Sequence, residues 1–586
     1  MKAEKPGEET PSLELHGVTR LPENTNCLAC SEDGRYLCLG HSQGLSVWCA
    51  SSLIRVAEWL QDRLEITSIQ MTIMTETTYL LGSVDDMGVA RVFAHQSDVI
   101  YLLSVINIME DINKRSIFLT FELSEGGHYG AASVSCNGAF WLEVYHFPSA
   151  AWLKELEMVQ SQKQDPDSPG DVDVKWSPLT MIIKIKLPKI AAGRASYGLP
   201  ENSQTDYLTH CLALDTIRNN SCQSEKMSFN RDSGNTKETN QSQRRCTPHF
   251  LLPCGQFPDD HRETFQPGLP VAVSVWWSGS HNLLQYLLHK TQKGKPGRIF
   301  ISDVEPMPDV VWPNAKGILC SAVSRCTRYI ALGLDDALVC VWDRQSGAPL
   351  SVVLVPAANS PFLSVQFVDY WPVTAAELHI STAEKIYLLV LCKSGEIHTV
   401  TTGRRTQSCT MQLTQRLKDS RDIPTITTSV PFLQGLSLVV QRNGKMFVQD
   451  VINKTTVCFL TPPTSHLIAA PCNPVYALNT KQQTLFIRGD QDSSCSASSE
   501  EDSQSQLFSF CFAESDLMKQ YVASQQHQTL GPVPPEETCS LYLQQRALSV
   551  DERNKAVRQT WEQLQETAVT VQQRQQSCSQ PNNINK

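Results

Sequence analysis

The chain has 586 residues, of which 41% are hydrophobic and 19% charged, and its formal net charge is −10 at pH 7. This length exceeds what one ordinary compact core accommodates, so we expect several domains or a repeat array. The acidic balance argues against nucleic-acid partners, because sequence-independent binding to phosphates needs a basic surface.

Residues 1–12 are polar and acidic and contain no apolar run. They predict neither a secretory signal nor a mitochondrial presequence, and we expect a disordered N-terminus. No segment reaches the roughly 18 consecutive apolar residues of a membrane span, so no membrane partner is expected. The expected location is the cytoplasm or cytoskeleton, where the 20 cysteines would stay reduced and those in strands would act as small core residues.

A hairpin pattern recurs along the chain. Its fullest copy spans residues 332–343, where a strand ends near Gly333, a turn follows at Asp335-Asp336, and an alternating strand ends in Trp342-Asp343. This pattern is typical of a WD40 propeller blade, in which the Trp packs between neighbouring blades. Earlier copies end at Trp48 and Phe93. We therefore predict four structural blade residues: Trp48, Phe93, Trp342 and Asp343.

Eight predicted hairpin turns mark the blades. They lie at Gly44, Gly88, Asn137-Gly138, Gly297, Asp335-Asp336, Gly395, Asn443-Gly444 and Gln482-Gln483. Most are about 40–60 residues apart, which is the repeat length expected of propeller blades with variable loops. The sequence therefore predicts an all-β, WD40-like propeller over residues 13–512. The blade count is either seven or eight, because an N-terminal strand such as Leu13–Val18 can close the ring.

Two polar segments interrupt this pattern, and we predict both to be disordered. Residues 215–247 contain few large apolar side chains and cannot bury enough surface to offset the entropy of ordering. Residues 490–506 contain Ser498 and Ser499 beside acidic residues, which makes these serines candidate sites for an acid-directed kinase. The alternative is an unmodified, solvated loop.

The C-terminal part changes from strand to helix periodicity. A linker over 513–535 leads to a predicted helix over 536–578, followed by a disordered tail at 579–586. Positions that are apolar except for Asn554 recur at alternating steps of four and three, which is a heptad seam. Its members are Leu543, Ala547, Val550, Asn554, Val557, Trp561, Leu564, Ala568 and Val571. The helix packs either on its own propeller or on a partner or second copy, with Val557, Trp561 and Leu564 as candidate partner-binding residues.

No catalytic residue, cofactor or metal site is predicted. The chain lacks a P-loop, a zinc-protease motif, a Gly-x-Ser-x-Gly elbow and an EF-hand loop. Cys27 and Cys30 have redox or metal spacing, but their place in a strand favours core thiols. Cys246, His249, Cys254 and His261 could offer four zinc ligands, although their spacing matches no standard finger and the prolines around them suggest an extended loop.

The segment Leu13–Leu21, the first blade through Trp48, the Trp342-Asp343 blade and the Gln-rich helical tail together resemble the WD repeat-containing protein 93 family. The resemblance implies a non-enzymatic scaffold of motile cilia and sperm flagella, similar to a subunit of a projection on the central-pair microtubules. The alternative is an accessory protein of the mitochondrial respiratory chain and electron transport. The residues offer no presequence, cofactor motif or iron–sulfur cysteine spacing for that alternative.

Overall fold

The computed structural model describes most of residues 11–521. The described ranges are 11–107, 116–136, 139–163, 175–186, 246–253, 269–288, 306–355, 360–368, 385–403, 407–414, 419–463, 466–491, 505–519 and 521, together with Glu562, Glu566 and Val569. Within these ranges the strands form eight sheets that follow one another along the chain. The protein is an eight-bladed β-propeller, which confirms the predicted fold class and decides the blade count.

The strands of the first four blades have the following bounds. Two short strands come first, β1 (Ser12–Leu13) and β2 (Gly17–Arg20). The first blade contains β3 (Cys27–Cys30), β4 (Tyr36–His41), β5 (Gly44–Cys49) and β6 (Arg55–Leu60). The second contains β7 (Ile66–Thr75), β8 (Thr78–Asp85), β9 (Ala90–Gln96) and β10 (Val99–Val105). The third contains β11 (Ile117–Leu123), β12 (Tyr129–Cys136), β13 (Ala139–His146) and β14 (Thr180–Lys186). The fourth contains β15 (Cys246–Leu251), β16 (Ala272–Trp277), β17 (Asn282–Leu287) and β18 (Val310–Pro313).

The remaining blades follow the same plan. The fifth contains β19 (Ile318–Val323), β20 (Tyr329–Leu334), β21 (Leu338–Asp343) and β22 (Ala348–Leu354). The sixth contains β23 (Phe362–Val368), β24 (Lys385–Cys392), β25 (Ile397–Gly403) and β26 (Cys409–Thr414). The seventh contains β27 (Pro424–Ser429), β28 (Leu436–Gln441), β29 (Met446–Asp450) and β30 (Thr456–Leu460). The eighth contains β31 (His466–Ile468), β32 (Tyr476–Asn479), β33 (Thr484–Gln491) and β34 (Gln506–Cys511).

Burial differs between the strands of a blade in a regular way. First strands contact first strands of neighbouring blades, as in β3 with β7 and β19 with β23, so they lie nearest the ring axis. The second and third strands are covered on both faces, and every residue of β8, β9, β20 and β21 is buried. The outer strand β6 instead exposes Arg55, Glu58 and Leu60 to solvent. Central strands are therefore buried whatever their polarity, while outer strands keep residues in contact with solvent.

The N-terminal segment closes the ring. Strand β2 pairs antiparallel with β34, with Gly17 opposite Ser509 and Arg20 opposite Gln506, and so becomes the outer strand of the eighth blade. Strand β1 adds in parallel to β30 of the seventh blade. This confirms the expectation that an N-terminal strand closes the propeller. It also covers the edge of β34, so that the short strand β2 becomes the outer edge of the eighth blade.

A helix that the sequence patterns did not predict lies between the third and fourth strands of the third blade. Helix α1 (Ser149–Lys163) buries Trp152, Leu156 and Val159, which recur at steps of four and three and form one apolar stripe. The Trp152 indole donates a hydrogen bond to the carbonyl of Ser177 (2.7 Å). A second helix, α2 (Asp516–Lys519), follows the last strand. Among the described helices, none is long and apolar enough to cross a membrane.

Several predicted boundaries differ from the structure. The turn predicted at Gly297 lies outside the described residues, and the fourth-blade hairpin turns instead between Trp277 and Asn282, because β16 pairs with β17. Ser12 forms a strand rather than belonging to a disordered N-terminus. The insertion predicted over 215–247 ends before Cys246, which begins β15. Residues 490–491 belong to β33 and residue 506 to β34, while α2 occupies part of the predicted 513–535 linker.

Replacing Trp152 by Ala tests the role of α1. The side chain is fully buried against the second and third blades, so we expect the free energy of unfolding to fall by about 3–5 kcal/mol. Met158→Ala on the same helix is the control, because Met158 is 57% exposed and should change stability little. Urea unfolding of both variants measures the difference. Equal stabilities would contradict the packing of α1 on the propeller.

Candidate interaction site on the propeller

The third strand of a blade carries an aromatic residue that contacts the preceding blade. In the fifth blade, the Trp342 indole donates a hydrogen bond to Asn314 Oδ1 (3.0 Å). Its ring meets that of Trp312 edge-on, with 5.0 Å between centroids. Trp312 belongs to β18, the last strand of the fourth blade. Trp342 therefore fills the gap between these two blades.

The other two predicted aromatic positions are placed in the same way. Trp48 packs in one cluster with Phe486 and Leu507 of the eighth blade, and its indole donates to Ser46 Oγ (2.9 Å). Phe93 is fully buried and contacts Trp59 of the first blade edge-on at 4.9 Å. Each aromatic ring therefore joins its own blade to the one before it.

Asp343 holds the turn that leads to the outer strand of the fifth blade. The carboxylate is 1% exposed and accepts hydrogen bonds from the Gln345 amide (3.1 Å) and the Ser346 hydroxyl (3.1 Å). Arg328 Nε lies 3.3 Å from Asp343 Oδ1 and supplies the opposite charge. Asp343 is thus an anchor of the blade rather than a surface contact.

A cavity of about 230 Å³ opens where the first strands of the first three blades converge near the ring axis. Its lining combines apolar side chains with two carboxylates. The lining residues are Ala29, Cys30, Glu32, Ile69, Gln70, Met71, Thr72, Leu123 and Glu125. We call this cavity the axial pocket.

Backbone conformation positions the two carboxylates of the axial pocket. Residues Glu125–Gly127 form a single 3-10 turn in which Gly126 has a φ of 73°, a left-handed value that favours glycine. The Gly126 amide donates to Thr72 Oγ1 (3.2 Å), and Thr72 Oγ1 donates to Glu32 Oε1 (2.8 Å). Three blades are therefore linked by hydrogen bonds at this opening.

The axial pocket is electronegative. Glu32 is exposed at the surface, but its carboxyl end lies against the second blade, and this burial raises its pKa, with further contributions from the charges of Glu125 and Asp33. Asp33 is different, because it accepts hydrogen bonds from Ser31 and Tyr79 and faces Arg35. Among the described residues, neither Glu32 nor Glu125 has a cationic partner. The pocket therefore suits a positively charged side chain.

The predicted cysteine pair lies in packed strand positions. Cys27 and Cys30 are free thiols in β3, and burial raises the pKa of each to about 12. Cys27 contributes to the cluster between the first two blades, whereas Cys30 contributes to the cluster between the eighth and first. The two thiols thus serve different blade interfaces.

The zinc set considered at Cys246 and His249 is not assembled among the described residues. Cys246 is buried at the start of β15, where burial raises its thiol pKa to about 11. The His249 imidazole lies 2.7 Å from Ser321 Oγ in the fifth blade, and burial lowers its pKa to about 4. Pro248 lies within this strand, so the expectation of an extended loop here is wrong. Cys254 and His261 lie outside the described residues.

The remaining predicted site residues lie outside the described part of the chain. These are Val557, Trp561, Leu564, Ser498 and Ser499. Of the predicted C-terminal helix, Glu562, Glu566 and Val569 are described, and each is helical and exposed. The role of this helix stays a prediction.

The sequence over residues 25–339 matches the family described as WD repeat-containing protein 93. This match covers more than half of the chain and includes the first four blades and part of the fifth. The chain belongs to the WD repeat-containing protein 93 family. As a WD-repeat propeller, it is a scaffold for protein–protein interactions.

Three solved structures match this chain at low identity and with TM-scores below 0.5. Raptor from Chaetomium thermophilum matches with 10% identity and a TM-score of 0.37, covering 85% of this chain and 28% of Raptor. Sqt1 from Saccharomyces cerevisiae matches with 10% identity and a TM-score of 0.43, covering 86% and 99% of the two chains. Chaetomium thermophilum Sqt1 bound to the N-terminus of ribosomal protein L10 matches with 12% identity and a TM-score of 0.43, covering 86% and 100%. These likenesses concern the fold alone.

Substitutions of Trp342 test the contact between the fourth and fifth blades. Trp342→Ala should lower the free energy of unfolding by about 3–5 kcal/mol, because a large buried ring is lost. Trp342→Phe keeps a ring near Trp312 but leaves Asn314 Oδ1 without its indole donor, at about 1–3 kcal/mol. Guanidinium unfolding curves should rank wild type, Phe and Ala in that order.

Leu60→Ala is the matched control for Trp342, because Leu60 is 52% exposed on an outer strand. Its unfolding curve should coincide with that of the wild type. If Trp342→Ala were as stable as Leu60→Ala, the blade contact described above would not contribute to stability.

Proposed function

We propose that this protein is a non-enzymatic scaffold of the motile-cilium or flagellar axoneme, where it holds partner proteins as an accessory subunit of a central-pair projection. Membership of the WD repeat-containing protein 93 family supports this proposal. The resemblance of its opening segment and blades to this family supports the axonemal setting. The respiratory-chain role is the alternative, and no feature of the described residues favours it.

The observation that carries the binding part of the proposal is the axial pocket. Glu32 and Glu125 present two carboxylates beside a cavity, and among the described residues no cation neutralises them. A lysine or arginine from a partner protein would satisfy both. Charge complementarity of this kind contributes to specificity and to the rate of association. The apolar lining from Ile69, Met71 and Leu123 would pack on the aliphatic stem of such a side chain.

Binding at the axial pocket should depend on pH in a definite direction. The pKa of Glu32 is raised, so the carboxyl group takes up a proton earlier than an ordinary Glu as the pH falls. The neutral form attracts a cation less, and affinity should therefore decrease with acidification. A bound cation favours the charged carboxylate, so partner binding should in turn lower the pKa of Glu32.

Two buried thiols of the propeller core are unsuited to nucleophilic chemistry. The thiols with pKa values raised to about 12 include Cys340, which lies in a third strand, and Cys320, which lies in a first strand. Both are covered by neighbouring strands. A nucleophile must be deprotonated and reachable by substrate, and these thiols are neither.

The test is retention on axonemes. A tagged full-length chain expressed in multiciliated cells should stay with detergent-extracted axonemes through a moderate salt wash, and proximity labelling should mark central-pair proteins. The double variant Glu32→Gln/Glu125→Gln should be released at lower salt, because it lacks the pocket's charge. It should fold normally, since Gln keeps an oxygen that accepts the Thr72 hydroxyl.

Glu58→Gln is the control, since Glu58 is an exposed carboxylate on β6 that pairs with Arg55. Such surface pairs contribute about 0–1 kcal/mol, so retention should be unchanged. A mitochondrial location of the wild type would overturn the axonemal assignment and favour the alternative. Equal retention of the double variant and the wild type would leave the location intact and contradict the role of the axial pocket.

A further inference from the structure

The hairpin of the sixth blade brings together three side chains with metal-ligand chemistry. Strands β24 and β25 are joined by a tight turn in which the Cys392 amide donates to the Glu396 carbonyl and the Gly395 amide to the Cys392 carbonyl, both at 2.9 Å. Gly395 has a φ of 85°, which allows this turn. The Cys392 sulfur, a Glu396 oxygen and a His398 nitrogen all lie within 4.8 Å of one another.

All three side chains are withdrawn from solvent. Cys392 and His398 are each 1% exposed and Glu396 is 8% exposed. Ser394 Oγ donates to Glu396 Oε2 (3.1 Å), but the Nε2 atom of His398 is buried and has no hydrogen-bond partner among the described residues. A buried polar atom without a partner is destabilising, and native structures usually supply a ligand, ion or water at such atoms.

The second blade shows that this hairpin does not need such residues. Its turn has the same hydrogen bonds, from the Asp85 amide to the Val89 carbonyl and from the Gly88 amide to the Asp85 carbonyl. Asp85 therefore corresponds to Cys392, and Arg91 corresponds to His398. In the second blade these two positions form a closed, buried ion pair with a distance of 2.6 Å.

The sixth blade replaces that ion pair by a thiol and an imidazole and adds a carboxylate where the second blade has Val89. The thiol, the carboxylate and the imidazole do not form a closed ion pair of the kind that Asp85 and Arg91 form. A divalent cation would make the cluster electrically neutral, because the thiolate and the carboxylate each carry one negative charge. The neutral imidazole would add a third donor atom. A buried cluster with no net charge costs less desolvation free energy than one that carries a net charge.

We propose that Cys392, Glu396 and His398 bind a zinc ion that ties the sixth-blade hairpin together, with water in the fourth position. Sulfur, nitrogen and carboxylate oxygen are the zinc ligands of proteins, at about 2.3, 2.0–2.1 and 2.0–2.2 Å. Ligand atoms around a tetrahedral ion are roughly 3.5 Å apart, so side-chain rotation closes the remaining gap. On binding, the Cys392 sulfur loses its proton to solvent and forms the bond to zinc.

A nucleophilic role for the same three residues fits less well. A cysteine nucleophile works as an accessible thiolate, but Cys392 is enclosed, and burial together with the Glu396 charge raises its pKa to about 12. A small ion reaches such a site more readily than a substrate. Metal binding would itself supply the free energy to deprotonate the thiol.

Cobalt(II) is a direct probe of this site, since it takes zinc positions and absorbs in the near ultraviolet when bound to a thiolate. The purified full-length chain, stripped with a chelator, should bind one equivalent of Co²⁺ with this sulfur-to-metal band, and one equivalent of Zn²⁺ should abolish it. Cys392→Ser should remove the band. Glu396→Gln and His398→Gln should each weaken Co²⁺ binding at least tenfold.

Cys458→Ser is the matched control, because Cys458 is a fully buried thiol in the neighbouring seventh blade. It should keep the band and the affinity. Zn²⁺ should also raise the unfolding temperature of the wild type and of Cys458→Ser but not of Glu396→Gln, whose near-isosteric change preserves folding. Absence of a thiolate band in the wild type, or its persistence in Cys392→Ser, would overturn the proposal. These outcomes are independent of partner binding at the axial pocket.

Discussion

The structure depends on burial between successive sheets. A four-stranded sheet cannot bury both faces alone, and here each central strand is covered by the blades on its two sides. The aromatic rings of Trp48, Phe93 and Trp342 lie at three of these interfaces, each against the preceding blade. Because the interfaces form a closed series, loss of one exposes two faces at once. Stability is therefore a property of the ring rather than of any blade.

Backbone repetition leaves side chains free to differ at equivalent positions. The hairpins of the second and sixth blades have the same turn hydrogen bonds, yet one contains an ion pair and the other a thiol, a carboxylate and an imidazole. The axial pocket arises similarly, where the first strands of three blades and the turns after two of them meet. The strands supply the rigid frame, and the turns and first-strand ends supply the chemistry.

Strands were predicted correctly where a strand-like hydrophobic pattern lay next to a glycine-containing turn. Alternation or a short apolar run next to a Gly-containing turn identified the hairpins at Gly44, Gly88, Gly395 and Gly444, because these turns have few alternatives. Helix α1 escaped prediction because its apolar stripe is only three residues long and follows directly after a strand. The spacing of Trp152, Leu156 and Val159 nevertheless indicates an amphipathic helix. The fourth-blade turn was predicted at Gly297, which lies outside the described residues, whereas β16 and β17 pair around a turn that contains Gly279.

The candidate sites were less accessible to prediction. Glu32 and Glu125 are 93 positions apart, and nothing in their local sequence indicates that three blades bring them to one opening. Cys392, Glu396 and His398 lie within seven residues, but their spacing matches no standard motif. Only the hairpin register shows that Cys392 lies opposite Glu396, with His398 two residues further along the same strand face. The blade aromatics were predictable because their role follows from local pattern alone.

Ring closure also has a consequence for how the chain is made. Ser509 Oγ donates a hydrogen bond to the Gly17 carbonyl across 492 positions, so the short strand β2 cannot pair with β34 until both have been synthesised. Until β34 leaves the ribosome, the edge of β2 is unpaired and able to associate with another nascent chain. Contacts of such high sequence separation are slow to form. The pairing edge of β2 is therefore exposed for nearly the whole of translation, and ring closure is a late step in folding.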